Sequence, residues 1–138
     1  MSSNNGNSRV VRCGLIQTKN EVISPAGGTD KKMLEEIKDN MLKKHIEYTK
    51  QAHDKGVKIL CYQEIFNGPY FCAEQQTCWY DTAEEIPNGP TIKKMQELAK
   101  KYQMVLVVPI YEKEQAGVYY NTAAVIDANG EYLGKYRK

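Results

Sequence analysis

Val57-Lys58-Ile59-Leu60-Cys61-Tyr62-Gln63-Glu64-Ile65-Phe66 is the stretch on which the reading of this chain turns. Its first six residues form a short, mostly apolar run, the pattern of a buried strand in an α/β protein. Glu64 then stands just past that strand's carboxyl end. Upstream lies a helical stripe, with Met33, Leu34, Ile37, Met41 and Ile46 at helical spacing and continuing through Ala52. Thr29 or Asp30 is the expected N-cap, Glu35 and Glu36 sit in the early turns, and Gly56 closes the helix. Further upstream, Val10 to Gln17 reads as a first strand, apolar enough to be central. It is separated from the helix by the breakers Ser24-Pro25-Ala26-Gly27-Gly28.

Downstream, residues 67–89 read as irregular, with Gly68-Pro69 and Pro87-Asn88-Gly89-Pro90 as breakers. A helix is expected from about Thr91 to Gln103, with Ile92, Met95, Leu98 and Ala99 on one face. Met104 to Tyr111 is a third strand, residues 112–117 a polar turn, and Val118 to Ile126 a fourth strand. Asp127-Ala128-Asn129-Gly130 carries the Asn-Gly hairpin signal, and Glu131 to Tyr136 returns as a fifth strand. The order β-α-β-α-β-β-β implies an α/β layered fold with a mixed sheet. Residues 1–8 are expected to be a disordered tail, and residues 9–138 one domain.

At 138 residues, 41% hydrophobic and 26% charged, the chain has the balance of an ordinary globular domain. A net charge of +2 gives no electrostatic footprint for nucleic acid or a membrane surface. No apolar run approaches a membrane span and Met1 to Ser8 has no signal-like core, so a reducing, cytoplasmic setting is expected. Cys13, Cys61, Cys72 and Cys78 lack metal or redox spacing. Cys13 and Cys61 lie in strand-like runs and are expected to be buried as small hydrophobes. His45 and His53 are expected on the surface of the long helix rather than as metal ligands.

Reactive groups in open α/β sheets gather at strand carboxyl ends. Glu64 occupies such a place, flanked by Ile65 and Phe66. Partial desolvation there is expected to raise its pKa and suit it to general-base work, with a loop or capping role as the plainer reading. Lys138 follows the fifth strand, beside Lys135 and Arg137. Asn121, inside an apolar strand, reads as a buried polar group that ties a neighbouring loop to the sheet. Phe71 and Cys72 are expected to contact substrate at a pocket mouth, with packing as the alternative for Cys72, and Cys78 is expected to pack or lie at the surface.

Leu60-Cys61-Tyr62-Gln63-Glu64-Ile65-Phe66, Gly68-Pro69-Tyr70-Phe71-Cys72, Tyr120-Asn121-Thr122-Ala123 and Gly134-Lys135-Tyr136-Arg137-Lys138 together resemble the nitrilase superfamily of carbon–nitrogen hydrolases. Within it the likeness is to the β-ureidopropionase and N-carbamoyl amidohydrolase branch, over about residues 9–138. The resemblance implies an αββα sandwich, here truncated to roughly its N-terminal half. It implies Glu64 as general base and Lys138 as stabiliser of the tetrahedral intermediate. Lys138 is preferred to Lys135 because it directly follows Arg137, as in the family's Arg-Lys-x-His motif. It also implies no metal for the chemistry, a small N-carbamoyl or amide substrate, and a homo-oligomer when complete; no cofactor is expected. The family's nucleophilic cysteine and a supporting glutamate lie beyond the lysine motif, so the fragment alone is expected to be inactive. The alternative is a catalytically inactive short product that at most binds full-length subunits. A flavodoxin-like module fits less well, because no Gly-rich phosphate loop follows the first strand.

Overall fold

A computed structural model describes residues 10–20, 30–72 and 75–138. The expected tail at residues 1–8, the breakers at residues 24–28 and the possible cap Thr29 lie outside the described residues. The elements are β1 (Cys13–Leu15), α1 (Lys31–Asp54), β2 (Ile59–Cys61), a short 3-10 helix (Thr77–Thr82), α2 (Pro90–Tyr102), β3 (Val105–Gln115), β4 (Val118–Ile126) and β5 (Tyr132–Arg137). They build one five-stranded sheet in the order β1-β2-β3-β4-β5. The first three strands are parallel and the last three antiparallel, so the sheet is mixed.

Local chemistry explains the elements. The Asp30 carboxylate accepts a hydrogen bond from the Met33 backbone N–H at 2.8 Å, satisfying one of the orphan donors that open α1. Leu34, Ile37, Met41, His45 and Thr49 then recur every three or four residues as the buried stripe of α1. Pro90 opens α2, where its missing N–H costs nothing. At the β4–β5 turn, Gly130 has φ +88°, and an added Cβ would stand 2.8 Å from the Gln96 carbonyl oxygen of α2. Glycine is needed there for backbone shape and for clearance.

The core lies between the helices and one face of the sheet. Leu106, Val108 and Ile110 of β3 join Leu60, Phe66, Ile92, Met95, Ala124 and Ile126 in it. Burying each large side chain contributes roughly 1.5–3 kcal/mol. Because strand side chains alternate, the residues between them face the other way. That second face is only half covered, and Leu15 on it is 85% exposed.

Four expectations are corrected. The first strand is short and stands at the sheet edge rather than in its centre. An apolar run reports apolar faces; it does not report how many edges are paired. Cys13 is exposed and Cys61 half-buried, because in the register Cys13↔Ile59 and Leu15↔Cys61 these residues alternate with the inward Gly14 and Leu60. His45 is fully buried, one turn beyond Met41 on the α1 stripe, with its ring centroid 5.0 Å from that of Phe66. Finally, β3 runs past Tyr111 to Gln115, so the turn to β4 falls at Ala116-Gly117 and Glu112 is a buried strand residue.

Candidate active site

The topology brings two distant chain segments to one end of the sheet. β5 runs antiparallel to β4, which runs antiparallel to β3, so β5 points the same way as β2. Glu64 follows β2 and Lys138 follows β5, at strand ends that share a direction. The segment after β2 stays on β3 as it crosses: Tyr62 N–H donates to the Val107 carbonyl at 3.1 Å and Phe66 N–H to the Pro109 carbonyl at 3.2 Å. Between these bonds Ile65 adopts φ +48°, a left-handed conformation rarely taken by a β-branched residue. Ile65 and Phe66 are driven into the core, and Glu64 is turned outward.

There the Lys138 ammonium donates to Glu64 Oε1 at 2.8 Å, and the Asn121 side-chain amide donates to the same oxygen at 2.6 Å. Lys138 N–H also donates to the Asn121 backbone carbonyl at 2.9 Å. Oε2 of Glu64 accepts no bond among the described residues. Asn121 is half-buried rather than fully buried, and it does tie the loop that holds Glu64 to the sheet.

The electrostatics differ from the expected desolvated acid. The Glu64 side chain is 42% exposed and that of Lys138 73% exposed. The hydrogen bond from Lys138, then that from Asn121, hold the Glu64 carboxyl below its ordinary value, and the small burial only partly opposes them. Its apolar neighbours point away and do not desolvate it. The same hydrogen bond raises the Lys138 pKa. At neutral pH the site therefore presents a carboxylate with one oxygen that is unengaged among the described residues, next to an ammonium.

Glu64 borders a cleft of about 290 Å³ with Thr18, Gln63, Gly68 and Tyr70 on its walls. Gln63 Oε1 accepts from Thr18 N–H at 2.7 Å and so holds the loop after β1 against it. Phe71 and Cys72 line a neighbouring cleft of about 320 Å³ with Trp79, Tyr80 and Tyr111. Phe71 stacks on Trp79 and tilts against Tyr111, with ring centroids 5.7 and 4.9 Å away. Cys72 is exposed, and its sulfur, as acceptor for the Tyr70 hydroxyl, raises the Tyr70 pKa. Cys78 is half-buried. Among the described residues, no group of three or more His, Cys, Asp or Glu could hold a metal, and no helix is long and apolar enough to cross a membrane.

Sequence reasoning missed a second charged cluster behind the first. Glu112 is fully buried and accepts from Thr122 Oγ1 at 2.6 Å and from Arg137 Nε and Nη2 at 3.0 and 2.6 Å. It also forms an ion pair with Lys135. Burial alone would raise the Glu112 carboxyl, but the bonds from Arg137, Lys135 and Thr122 outweigh it and hold it at about 2. The signal was present in the sequence: Glu112 continues the alternation Leu106, Val108, Ile110.

The same fold is found in solved nitrilase-superfamily structures. Saccharomyces cerevisiae Nit3, a member of branch 10 of that superfamily, superposes with a TM-score of 0.60 at 25% identity, over 73% of this chain and 38% of that one. A carbon-nitrogen hydrolase from Helicobacter pylori G27 gives a TM-score of 0.72 at 24% identity, over 93% of this chain and 39% of that one. This chain belongs to the carbon-nitrogen hydrolase family, whose sequence pattern matches residues 33–138. It is 40% identical over 134 residues to a β-ureidopropionase of Arabidopsis thaliana, covering 96% of this chain and 31% of that protein. It is 45% identical over 87 residues to an N-carbamoylputrescine amidase of Solanum lycopersicum, covering 63% of this chain and 29% of that protein. The chain thus spans about a third of the length of these curated relatives.

Proposed function

We propose that this chain supplies two of the three catalytic groups of a hydrolase of non-peptide C–N bonds acting on an N-carbamoyl amine. The observation that carries the reading is the pair Lys138–Glu64 at 2.8 Å, with Asn121 on the same carboxylate oxygen. Glu64 is the general base, and the free Oε2 is the position from which it takes a proton. Lys138 is the fixed positive charge for the oxyanion. The nucleophile is a thiol supplied from outside these 138 residues. Glu64 takes the thiol proton, the thiolate attacks the carbamoyl carbon, and the tetrahedral intermediate collapses by breaking one C–N bond. The nitrogen that leaves takes the proton from Glu64, and an S-carbamoyl enzyme (a thiocarbamate) that still carries the other nitrogen remains. Water deprotonated by Glu64 then breaks the C–S bond, returning the thiol and releasing a carbamate. The carbamate loses carbon dioxide and frees the second nitrogen, so the net products are the free amine, ammonia and carbon dioxide.

The substrate class follows the relatives named for N-carbamoylputrescine and β-ureidopropionate. The clefts beside Glu64 and along Phe71 and Cys72 are where the substituent on the carbamoyl nitrogen is accommodated. By itself the chain is inactive under this reading, for want of the thiol. The test is ammonia release from N-carbamoylputrescine and N-carbamoyl-β-alanine by the full natural protein and its Glu64→Gln variant. Turnover by the natural protein that the variant loses supports the assignment; a variant that keeps its turnover sinks it.

A further inference from the structure

We infer that Glu112 is a positioning residue for Lys138: from inside β3 it fixes the Arg137 guanidinium, and through the single peptide bond between Arg137 and Lys138 it sets where the ammonium meets Glu64. The inference rests on the reading of Glu64 and Lys138 given above.

The need for such a residue follows from the chemistry of lysine. Lys138 follows β5, and a lysine is a point charge on a flexible four-carbon stem. The ammonium is therefore placed no better than its own Cα. Among the described residues, the Lys138 N–H bond to Asn121 and the contacts of residue 137 help to hold that Cα.

Arg137 is held by three side chains. Two of its nitrogens grip the Glu112 carboxylate in a fork, and its guanidinium carbon lies 4.0 Å from the centroid of the Tyr120 ring. An ion pair with Glu114 closes the outer side. The strand register places the same residues together, with Arg137 opposite Thr122 and Glu112 opposite Tyr120. Thr122 Oγ1 completes the shell of Glu112. A planar fork fixes angle as well as distance, which an apolar pair of similar size would not do.

Burying a carboxylate is an expensive way to hold two strands together, and well-packed apolar residues often stabilise as much or more. Glu112 nevertheless sits at zero exposure in an otherwise apolar alternation. Direction is what the charge adds. It fixes the rotation of β5 about its axis, so that Arg137 lies on the helix-covered face and Lys138 on the other, beside Asn121.

The test compares four variants of the full natural protein. Glu112→Gln removes the charge and keeps the shape, Arg137→Lys keeps the charge and removes the fork, and Glu84→Gln alters another buried, ion-paired glutamate. Glu64→Gln reports on the catalytic reading itself. Glu112→Gln and Arg137→Lys are expected to lower kcat about 10- to 100-fold with KM nearly unchanged, the cost of roughly an ångström of misplacement. Both are expected to move the acid limb of kcat/KM upward, as Glu64, faced by Lys138, Asn121 and Tyr70, loses its closest cation. Glu84→Gln is expected to lower Tm and move neither. Should Glu112→Gln not fold, Arg137→Lys alone decides. If both variants lower Tm as Glu84→Gln does and leave kcat and the acid limb unchanged, Glu112 is purely structural and the inference is overturned. If Glu64→Gln keeps its activity, the catalytic reading falls and this inference with it.

Discussion

Arg137 and Lys138 are chain neighbours at the end of one strand, yet their acids live in opposite worlds. Lys138 meets Glu64 in the open, at side-chain exposures of 73% and 42%. Arg137 meets Glu112 where the carboxylate is 1% exposed. An exposed pair contributes only about 0–1 kcal/mol to stability. Removing one partner of a buried pair costs about 3–5 kcal/mol. Under the proposed function, one contact could be broken and remade during turnover without loosening the fold, whereas the other could not. A strand's alternation alone separates the two tasks.

The strongest way to break this comparison is Glu64→Gln. It is expected to lower kcat by about 10³-fold or more while Tm stays within a degree or two. A large fall in Tm, read by calorimetry, would make the exposed pair a structural one. Lys138→Met comes next, with an expected loss of about 10²–10³-fold in kcat at unchanged Tm. Ammonia-release kinetics measure both.

The buried pair is sharpened by acid. Glu112 sits at about 2 in the folded chain against an ordinary 4.5. Above 4.5 the acid is charged folded or unfolded, and its contribution is complete. Between 4.5 and 2 the unfolded chain takes up a proton that the folded one refuses, so stability falls as pH falls, by up to about 3 kcal/mol. Urea midpoints between pH 5 and pH 3 measure this, and Glu112→Gln should flatten the slope.

The smallest effect belongs to a buried histidine. His45 Nδ1 meets the Met41 carbonyl oxygen at 2.8 Å. Burial lowers its pKa from 6.5. Stability is unaffected by His45 above 6.5 and declines as pH falls below it, since only the unfolded chain readily binds the proton. The expected decline is about 1 kcal/mol or less between pH 6.5 and 5.5, and His45→Leu should remove it.

Local chemistry was legible in the sequence. Asp30 caps its helix, Asn129-Gly130 turns its hairpin, and the helix stripes lie where their spacing puts them. Positions decided by distant residues were not. Glu64 was read from its neighbours Ile65 and Phe66 as a desolvated acid, but its protonation is governed by Asn121 and Lys138, far along the chain. Cys13 and Cys61 were read from apolar runs, although sheet register decides which face each residue takes. His45 and Glu112 were passed over because polar residues are usually exposed, yet both stand in phase with apolar neighbours that are not.

The left-handed turn at Ile65 carries a consequence for how this protein ages and evolves. A strained backbone persists only while its surroundings outbid the relaxed alternative, so the aim of Glu64 is underwritten by packing some way behind it. Phe66 is held by Tyr62 and His45, whose ring centroids lie 4.9 and 5.0 Å away. We expect slight damage to that trio to silence the site in molecules that are still folded. On warming the full natural protein, turnover should fade before calorimetry reports melting. Coincident curves would refute this. For a lineage, Tyr62 and His45 would then be policed as strictly as active-site residues, though neither touches the carboxylate.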